Sequence, residues 1–186
     1  MRLGCRPATN LVRAGAAWLA LALAAGQWPE LTDVWLYAGA ALALLALFDL
    51  GRVRALALPT AERELAHNLS IGVWQGVSLE LHNPGDEALT VAVYDHVPEG
   101  FVGENLPSGG RVRARGFLRL AYRVKPEARG DAHFPGLDLR LASPWGWWRR
   151  EIWLPLPESV RVYPNFAAVA QYALLATDQR QGSLGV

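Results

Sequence analysis

The chain has 186 residues, of which 52% are hydrophobic, 19% charged and 10% aromatic, and its formal net charge is +1. A disordered chain would carry fewer apolar residues and a larger net charge, so disorder is excluded. The near-zero charge argues against a nucleic-acid-binding protein, in which a basic excess gathers on one face. A single cysteine, Cys5, excludes a disulfide framework and a multi-cysteine zinc site.

Two apolar stretches near the N-terminus predict a transmembrane helical hairpin over residues 11–50. The first stretch covers residues 11–28 and the second covers residues 34–50. At about 1.5 Å per residue, each helix would span roughly 26 Å, close to the ~30 Å hydrocarbon core of a bilayer. Trp28 and Trp35 flank the short connector, where indole rings would lie at the level of the lipid headgroups.

The charges around the hairpin predict its orientation. The connector carries Glu30 and Asp33 and no basic residue, whereas both outer flanks are basic. By the positive-inside rule, residues 1–10 form a cytoplasmic basic tail, residues 51–60 form a cytoplasmic linker, and the hairpin lies in the bacterial inner membrane. The flanking basic residues are Arg2, Arg6, Arg13, Arg52 and Arg54.

Two features of the hairpin leave alternatives open. Asp49 lies three residues before Arg52, which favours an interfacial ion pair over a functional carboxylate within the membrane. The basic start, the apolar run and the sequence Ala22-Leu23-Ala24 are also typical of a cleavable signal peptide. Pro29 and the second apolar stretch that follows it favour a hairpin that is retained.

From residue 61 the apolar residues recur with period two, which is typical of half-buried strands. About seven short strands within about 100 residues predict an immunoglobulin-like antiparallel β-sandwich over residues 61–163. The missing Cys-Trp-Cys pattern excludes a true antibody domain. The predicted strands lie at residues 77–82, 89–93, 112–124, 137–141, 152–156 and 160–162, with a less defined one near 62–69.

The C-terminal residues 164–186 change character again. An unbroken run of Ala, Val, Leu and Tyr predicts a short helix over residues 166–176, and the polar, glycine-containing residues 179–186 look like the start of a linker. The predicted fold class is therefore mainly β, with a two-helix hairpin before the sandwich and a short helix after it.

Five arginines predict a first candidate interaction surface. All five occupy odd-numbered positions of a single predicted strand, so their side chains fall on one face, opposite the apolar residues of that strand. A solvated sheet face, paired with carboxylates such as Glu80, is one interpretation. A contact with anionic lipid headgroups is the other, because the hairpin would tether the domain near them. The five residues are Arg111, Arg113, Arg115, Arg119 and Arg123.

A tryptophan-rich turn between two predicted strands is the second candidate surface. Tryptophans commonly fill sandwich cores, but three within four positions cannot all point inward. A contact with a partner or with the membrane surface is therefore the alternative to a purely structural role. The turn and the residues beside it contribute Trp145, Trp147, Trp148, Arg149 and Arg150.

The sequence carries no catalytic pattern that we recognise. The four histidines lack metal-ligand spacing, Gly109-Gly110 lacks the lysine and helix of a phosphate-binding loop, and no serine stands in a Gly-x-Ser-x-Gly motif. We therefore predict no catalytic residue, cofactor, metal or small-molecule substrate, and a protein that is not an enzyme. The histidines are His67, His82, His96 and His133.

The order of several short motifs resembles that of a known bacterial family. Leu81-His82-Asn83 is followed by Val97-Pro98-Glu99-Gly100-Phe101, Pro107-Ser108-Gly109-Gly110, Ser143-Pro144-Trp145-Gly146-Trp147-Trp148-Arg149-Arg150 and Val162-Tyr163-Pro164. Together with the two apolar stretches, this order resembles the N-terminal part of the domain of unknown function 58 family, the MoxR-associated membrane proteins. The resemblance covers nearly the whole chain.

The resemblance implies an inner-membrane protein with a cytoplasmic body, often encoded beside a MoxR-type AAA+ ATPase. It also implies a downstream portion related to von Willebrand factor A domains, so we expect this chain to be truncated before that portion. The family's characteristic motif lies there, and no functional residue of the family can be transferred to this sequence.

These observations favour a non-enzymatic interaction or scaffold module, anchored in the inner membrane by the hairpin and acting with a MoxR-type ATPase. The lipid bilayer is its first expected partner. A regulatory or transport-associated component that uses the hairpin itself is one alternative. An envelope hydrolase is another, and it would need catalytic groups that the sequence does not reveal.

Overall fold

The computed structural model describes residues 3–165. The chain begins with a short strand, β1 (Leu3–Pro7), followed by helix α1 (Thr9–Gln27), a 3-10 turn (Pro29–Leu31) and helix α2 (Thr32–Ala55). Nine further strands then lead to Tyr163. The short helix expected over residues 166–176 lies outside the described residues.

Two sheets pack face to face to form the body of the molecule. The larger has the order β1-β10-β9-β5-β7, with β3 beside β10, and the smaller has the order β2-β4-β8-β6. The pairings are antiparallel except that of β3 with β10, which is parallel. The strands are β2 (Thr60–Glu64), β3 (Asn68–Ser70), β4 (Gln75–His82), β5 (Leu89–Asp95), β6 (Phe101–Glu104), β7 (Ser108–Val112), β8 (Phe117–Pro126), β9 (Gly130–Ala142) and β10 (Trp148–Tyr163).

The core lies between the facing surfaces of the two sheets. Along β4 and β5 every second residue is buried, as the period-two pattern predicts. Leu79 and Leu81 of the smaller sheet share one apolar cluster with Leu139 and Leu141 of the larger sheet. The predicted fold class, a mainly β chain with two N-terminal helices and an immunoglobulin-like sandwich, is confirmed.

The prediction of a single strand over residues 112–124 is wrong. Val112 ends β7 in the larger sheet, and β8 begins at Phe117 in the smaller sheet. A tight turn joins them, in which Arg115 has φ 49° and the Gly116 amide donates a hydrogen bond to the Arg113 carbonyl. The alternation continues through this turn, so the sequence pattern gave no sign that the chain crosses between the sheets.

Strand β10 includes both of the strands predicted at residues 152–156 and 160–162. Its 16 residues pair with β9 in two stretches, and the register shifts between Pro155 and Glu158. Gly136 of β9 lies opposite this irregularity, where a Cβ atom would come within 2.4 Å of the Leu154 carbonyl oxygen. Only glycine permits this close approach of the two backbones.

Residues 1–10 were expected to form a tail, but Leu3–Pro7 is a strand. It pairs antiparallel with the first half of β10, in the register that places Cys5 opposite Arg150. The open edge of β10 offers unpaired backbone groups, and β1 satisfies them. Helix α2 likewise extends through half of the expected linker at 51–60, because Val53 is fully buried in the sandwich core.

Helices α1 and α2 form an antiparallel pair with apolar surfaces exposed. Both are long and apolar enough to cross a membrane, and only 6% of the apolar window of each is buried. The ring of Trp18 stacks on that of Trp35 at 5.3 Å, and its Nε1 donates to the Trp35 carbonyl at 3.1 Å. A Cβ atom on Gly39 would lie 2.6 Å from the Trp18 ring, so Gly39 allows this close packing.

We predict that Leu79→Asp abolishes folding of the sandwich. Leu79 is 1% exposed and faces Leu120, so a carboxylate there would be buried without a partner, at a cost of several kcal/mol. Ala121→Asp is the matched control, because Ala121 is an exposed residue of the adjacent strand. Thermal unfolding of the detergent-solubilised full chain, followed by circular dichroism, measures both. Equal melting temperatures for the two variants would contradict the assigned core.

Candidate functional site

The end of α2 is attached to the turn between β9 and β10, residues 143–147, which we call the docking turn. Asp49 is fully buried at this contact. One of its carboxylate oxygens accepts a hydrogen bond from the Ser143 hydroxyl at 2.5 Å, and the other accepts one from the Trp145 amide at 3.3 Å. A carboxylate in an apolar helix is therefore satisfied by the sandwich.

The prediction of an ion pair between Asp49 and Arg52 is wrong. The guanidinium of Arg52 instead contacts both carboxylate oxygens of Glu87, at 2.8 Å each. Glu87 belongs to the turn between β4 and β5, so this pair attaches α2 to a second turn of the sandwich. Local spacing along the helix suggested the first pairing, and the tertiary fold provided a different partner for each charge.

Two residues of the tryptophan-rich segment hold α2 in place. The indole Nε1 of Trp148 donates to the Ala46 carbonyl at 2.9 Å, and its ring packs against the core. The guanidinium of Arg150 donates to the carbonyl groups of Arg54 at 3.1 Å and Leu56 at 3.2 Å. These carbonyls end the helix, where they lack intrahelical donors and where positive charge is favoured.

Helix α1 is attached to the same turn. The amide of Ala8, just before α1, donates to the Trp147 carbonyl at 2.7 Å, and Ala8 is 4% exposed. The ring of Trp145 contacts Phe48 of α2 at 5.4 Å and Trp147 at 6.1 Å. Trp145 is 42% exposed and Trp147 is half-buried. The docking turn therefore anchors both helices and presents one tryptophan to the surroundings.

The five arginines do not share a surface. Arg119 and Arg123 lie on the outer face of the smaller sheet, Arg111 lies in β7 of the larger sheet, and Arg113 and Arg115 lie in the turn between β7 and β8. Arg149, the remaining basic candidate, is exposed on β10. The single arginine strand therefore does not exist, because its residues belong to two sheets and a turn.

Several of these arginines are paired with carboxylates. Arg119 contacts Glu80 at 2.8 Å, which is the pairing that a solvated sheet face predicts, and Arg115 contacts Asp86 at 2.6 Å. The hydrogen bond and charge of Glu80 raise the pKa of Arg119. Arg123 lies over the ring of Trp74, 5.4 Å from its centroid. Their exposed positions keep these interactions weak.

A buried ionic cluster, absent from the sequence analysis, joins the two sheets. The guanidinium of Arg63 in β2 donates to both oxygens of Asp95 in β5, at 2.7 and 2.9 Å. It also contacts Glu158 of β10 at 3.4 Å, and the hydroxyl of Tyr122 in β8 donates to Asp95. The guanidinium lies over the ring of Phe134, 4.8 Å from its centroid.

Burial and the charge of Asp95 shift the pKa values of Arg63 and Tyr122 in this cluster. Burial would lower the pKa of Arg63, but the hydrogen bond and charge of Asp95 outweigh it and raise that pKa. Burial and the charge of Asp95 together raise the pKa of the Tyr122 phenol far above its ordinary value. One signal could have revealed the cluster: Asp95 continues the buried alternation of Leu89, Val91 and Val93.

The histidines do not combine into a site. His82 lies in the smaller sheet, whereas His96 follows β5 of the larger sheet and contacts Asp138 at 2.8 Å on the surface. Within residues 3–165, no group of three His, Cys, Asp or Glu side chains is arranged to hold a metal ion.

No protein-family model and no curated protein sequence matches this chain. Several solved structures are similar to part of this chain at low sequence identity. A FixG-related protein from Vibrio parahaemolyticus is 8% identical, with a TM-score of 0.39 over 57% of this chain and 98% of its own. The CARDB domain of the PF1109 protein from Pyrococcus furiosus is 10% identical, with a TM-score of 0.36 over 59% of this chain and 90% of its own. WR4, an MSP family member from C. elegans, is 12% identical, with a TM-score of 0.33 over 58% of this chain and 98% of its own.

We predict that Asp95→Ala destabilises the sandwich by about 3–5 kcal/mol, because it leaves the buried Arg63 guanidinium without its main partner. Glu80→Gln is the matched control, since it removes the partner of an exposed arginine and changes stability little. Urea unfolding of the solubilised full chain measures the difference. Similar losses in the two variants would contradict the role of the buried cluster.

The raised pKa of Tyr122 predicts that stability declines at alkaline pH. A phenol whose pKa is higher in the folded than in the unfolded chain stabilises the fold below the unfolded value, about 10, and that contribution is lost as the pH rises above it. The urea midpoint of Tyr122→Phe should therefore fall less steeply above about pH 10 than that of the unmodified chain. Parallel pH profiles would contradict this.

Proposed function

We propose that this chain is a non-enzymatic membrane-anchored interaction module. In this proposal α1 and α2 cross the bacterial inner membrane, the sandwich stands on the cytoplasmic side, and the module acts with a MoxR-type AAA+ ATPase. The observation that carries the proposal is the attachment of two exposed, apolar helices to one turn of a folded β-sandwich.

The exposed surface of the helices supports membrane insertion. Leu19, Leu23 and Leu44 are 59%, 78% and 69% exposed, far more than apolar side chains in a core helix would be. An apolar surface of this extent needs a partner, and the length of each helix matches a bilayer. Lipid is the partner that fits an apolar hairpin open along its length.

The strand before α1 supports retention of the hairpin. Cleavage of a signal peptide near Ala24 would remove β1 from the sheet and would free the edge of β10 that β1 covers. It would also release the Ala8 amide from the Trp147 carbonyl. A removable leader has no need of such contacts with the mature domain.

The proposed orientation follows from the charges at the two ends of the hairpin. Both ends are tied to the docking turn, so the sandwich stands on the side that carries Arg6, Arg52 and Arg54. The opposite end carries Glu30 and Asp33. The positive-inside rule assigns the basic side to the cytoplasm, where a AAA+ ATPase would meet the sandwich.

Reporter fusions and capture of the ATPase test the proposal together. Alkaline phosphatase inserted in the connector at residues 27–33 should be active, and the same enzyme fused after Thr60 should be inactive.

The full chain should retain a MoxR-type ATPase of the same organism during purification from membranes. Leu79→Asp is the control, because it unfolds the sandwich. Phosphatase activity after Thr60, or equal capture by the control, would contradict the proposal.

A further inference from the structure

We infer that the docking turn lies in the headgroup region of the bilayer, where Trp145 and Phe48 supply the cytoplasmic half of an aromatic belt. The inference rests on the proposed insertion of α1 and α2, and it names the surface of the sandwich that touches lipid. The partner is the polar–apolar boundary of the membrane, which indole rings prefer because they combine an apolar body with one N–H donor.

The depth of Trp145 follows from its contacts. Its amide donates to Asp49, and its ring lies 5.4 Å from that of Phe48, so it stands at the level where the apolar part of α2 ends. From Asp49 back to the start of α2 at Thr32 there are 17 residue steps, or roughly 26 Å of helix.

Helix α1 gives the same depth independently. A Cβ atom on Gly146 would lie 3.4 Å from the Asn10 side chain, so the docking turn reaches the first turn of α1. Trp28, 62% exposed, stands at the other end of that helix, 18 residue steps away. At about 1.5 Å per step, the two tryptophan levels are roughly 27 Å apart, close to the ~30 Å hydrocarbon core.

The surface at this level combines exposed aromatic rings with nearby cations. Trp145 is 42% and Phe48 58% exposed, and the two rings form one patch continuous with the lipid-facing side of α2. Arg52, which is paired with Glu87, and Arg54 follow within two turns of the helix, at the depth expected for phosphate groups. Aromatic rings at the boundary and arginines beyond it suit a membrane with anionic lipids.

Hydrogen bonds fix the turn at this depth. Asp49 accepts from Ser143 and from the Trp145 amide, while the Ser143 hydroxyl also accepts from the Trp147 amide at 3.0 Å. The docking turn is thus held to the helix through Asp49 and Ser143, which are both buried. These hydrogen bonds tie the sandwich to the hairpin at this point, so insertion of the helices brings Trp145 to the lipid boundary.

Depth-dependent fluorescence quenching tests the inference in the full chain. With Cys5→Ser as background, Trp145→Cys is labelled with an environment-sensitive fluorophore and reconstituted in vesicles of phosphatidylcholine and phosphatidylglycerol. Nitroxide lipids then quench from shallow or deep positions. Leu19→Cys, at the middle of α1, reports hairpin insertion, and Tyr163→Cys, at the far end of β10, reports a site away from the membrane.

The expected result is stronger quenching of position 145 by the shallow nitroxide than by the deep one, the reverse at position 19, and none at position 163. Quenching at 19 without quenching at 145 would overturn the inference and leave the proposed function standing. Absence of quenching at both would overturn both. A blue-shifted but unquenched label at 145 would indicate cover by protein, and would also overturn the inference.

A second variant guards against loss of the fold. Pro144→Cys labels the neighbouring exposed residue and keeps the Trp145 ring in place. It should show the same shallow quenching as the label at 145. If thermal unfolding shows that Trp145→Cys is misfolded, the quenching of the label at position 144 tests the inference in its place. An unquenched label at position 144 would then overturn the inference.

Discussion

Burial of the Asp49 carboxylate is the constraint on which the arrangement of helices and sandwich depends. A charge or a polar group within an apolar helix is costly unless it is hydrogen-bonded. The docking turn provides these hydrogen bonds from Ser143 and the Trp145 backbone. Because the donors belong to the sandwich, satisfying one residue of α2 positions the whole β domain against the hairpin.

The hairpin is inserted between β1 and β2 of the sandwich, and its two ends meet at one place. The β1 strand completes the sheet edge along β10, and the Arg150 side chain holds the last carbonyls of α2. Separating the helices from the sandwich would expose Val53 and Leu56 of the core cluster as well as these polar groups. Hairpin and sandwich are therefore one structural unit.

A second buried carboxylate, Asp95, joins the sheets away from the hairpin. The sequence identified the partner of neither buried acid, and for Asp49 it favoured Arg52, which is not its partner. Asp49 stood near Arg52 and Asp95 continued an apolar alternation, but Ser143 and Arg63 lie 94 and 32 residues away along the chain. Similarly, the arginines at 111–123 formed one row in sequence and belong to two sheets and a turn in the fold.

The sequence by itself determined what depends on local pattern: two apolar helices, strands with period two from residue 61 onward, and hence the class of fold. It also located the tryptophan-rich turn. Only the tertiary structure decided which sheet each strand joins, that β1 completes the larger sheet, and that Trp148 and Arg150 hold α2. The physical reason is that periodicity reports which side of an element is buried, whereas the partner that buries it is chosen by contacts between segments distant in the chain.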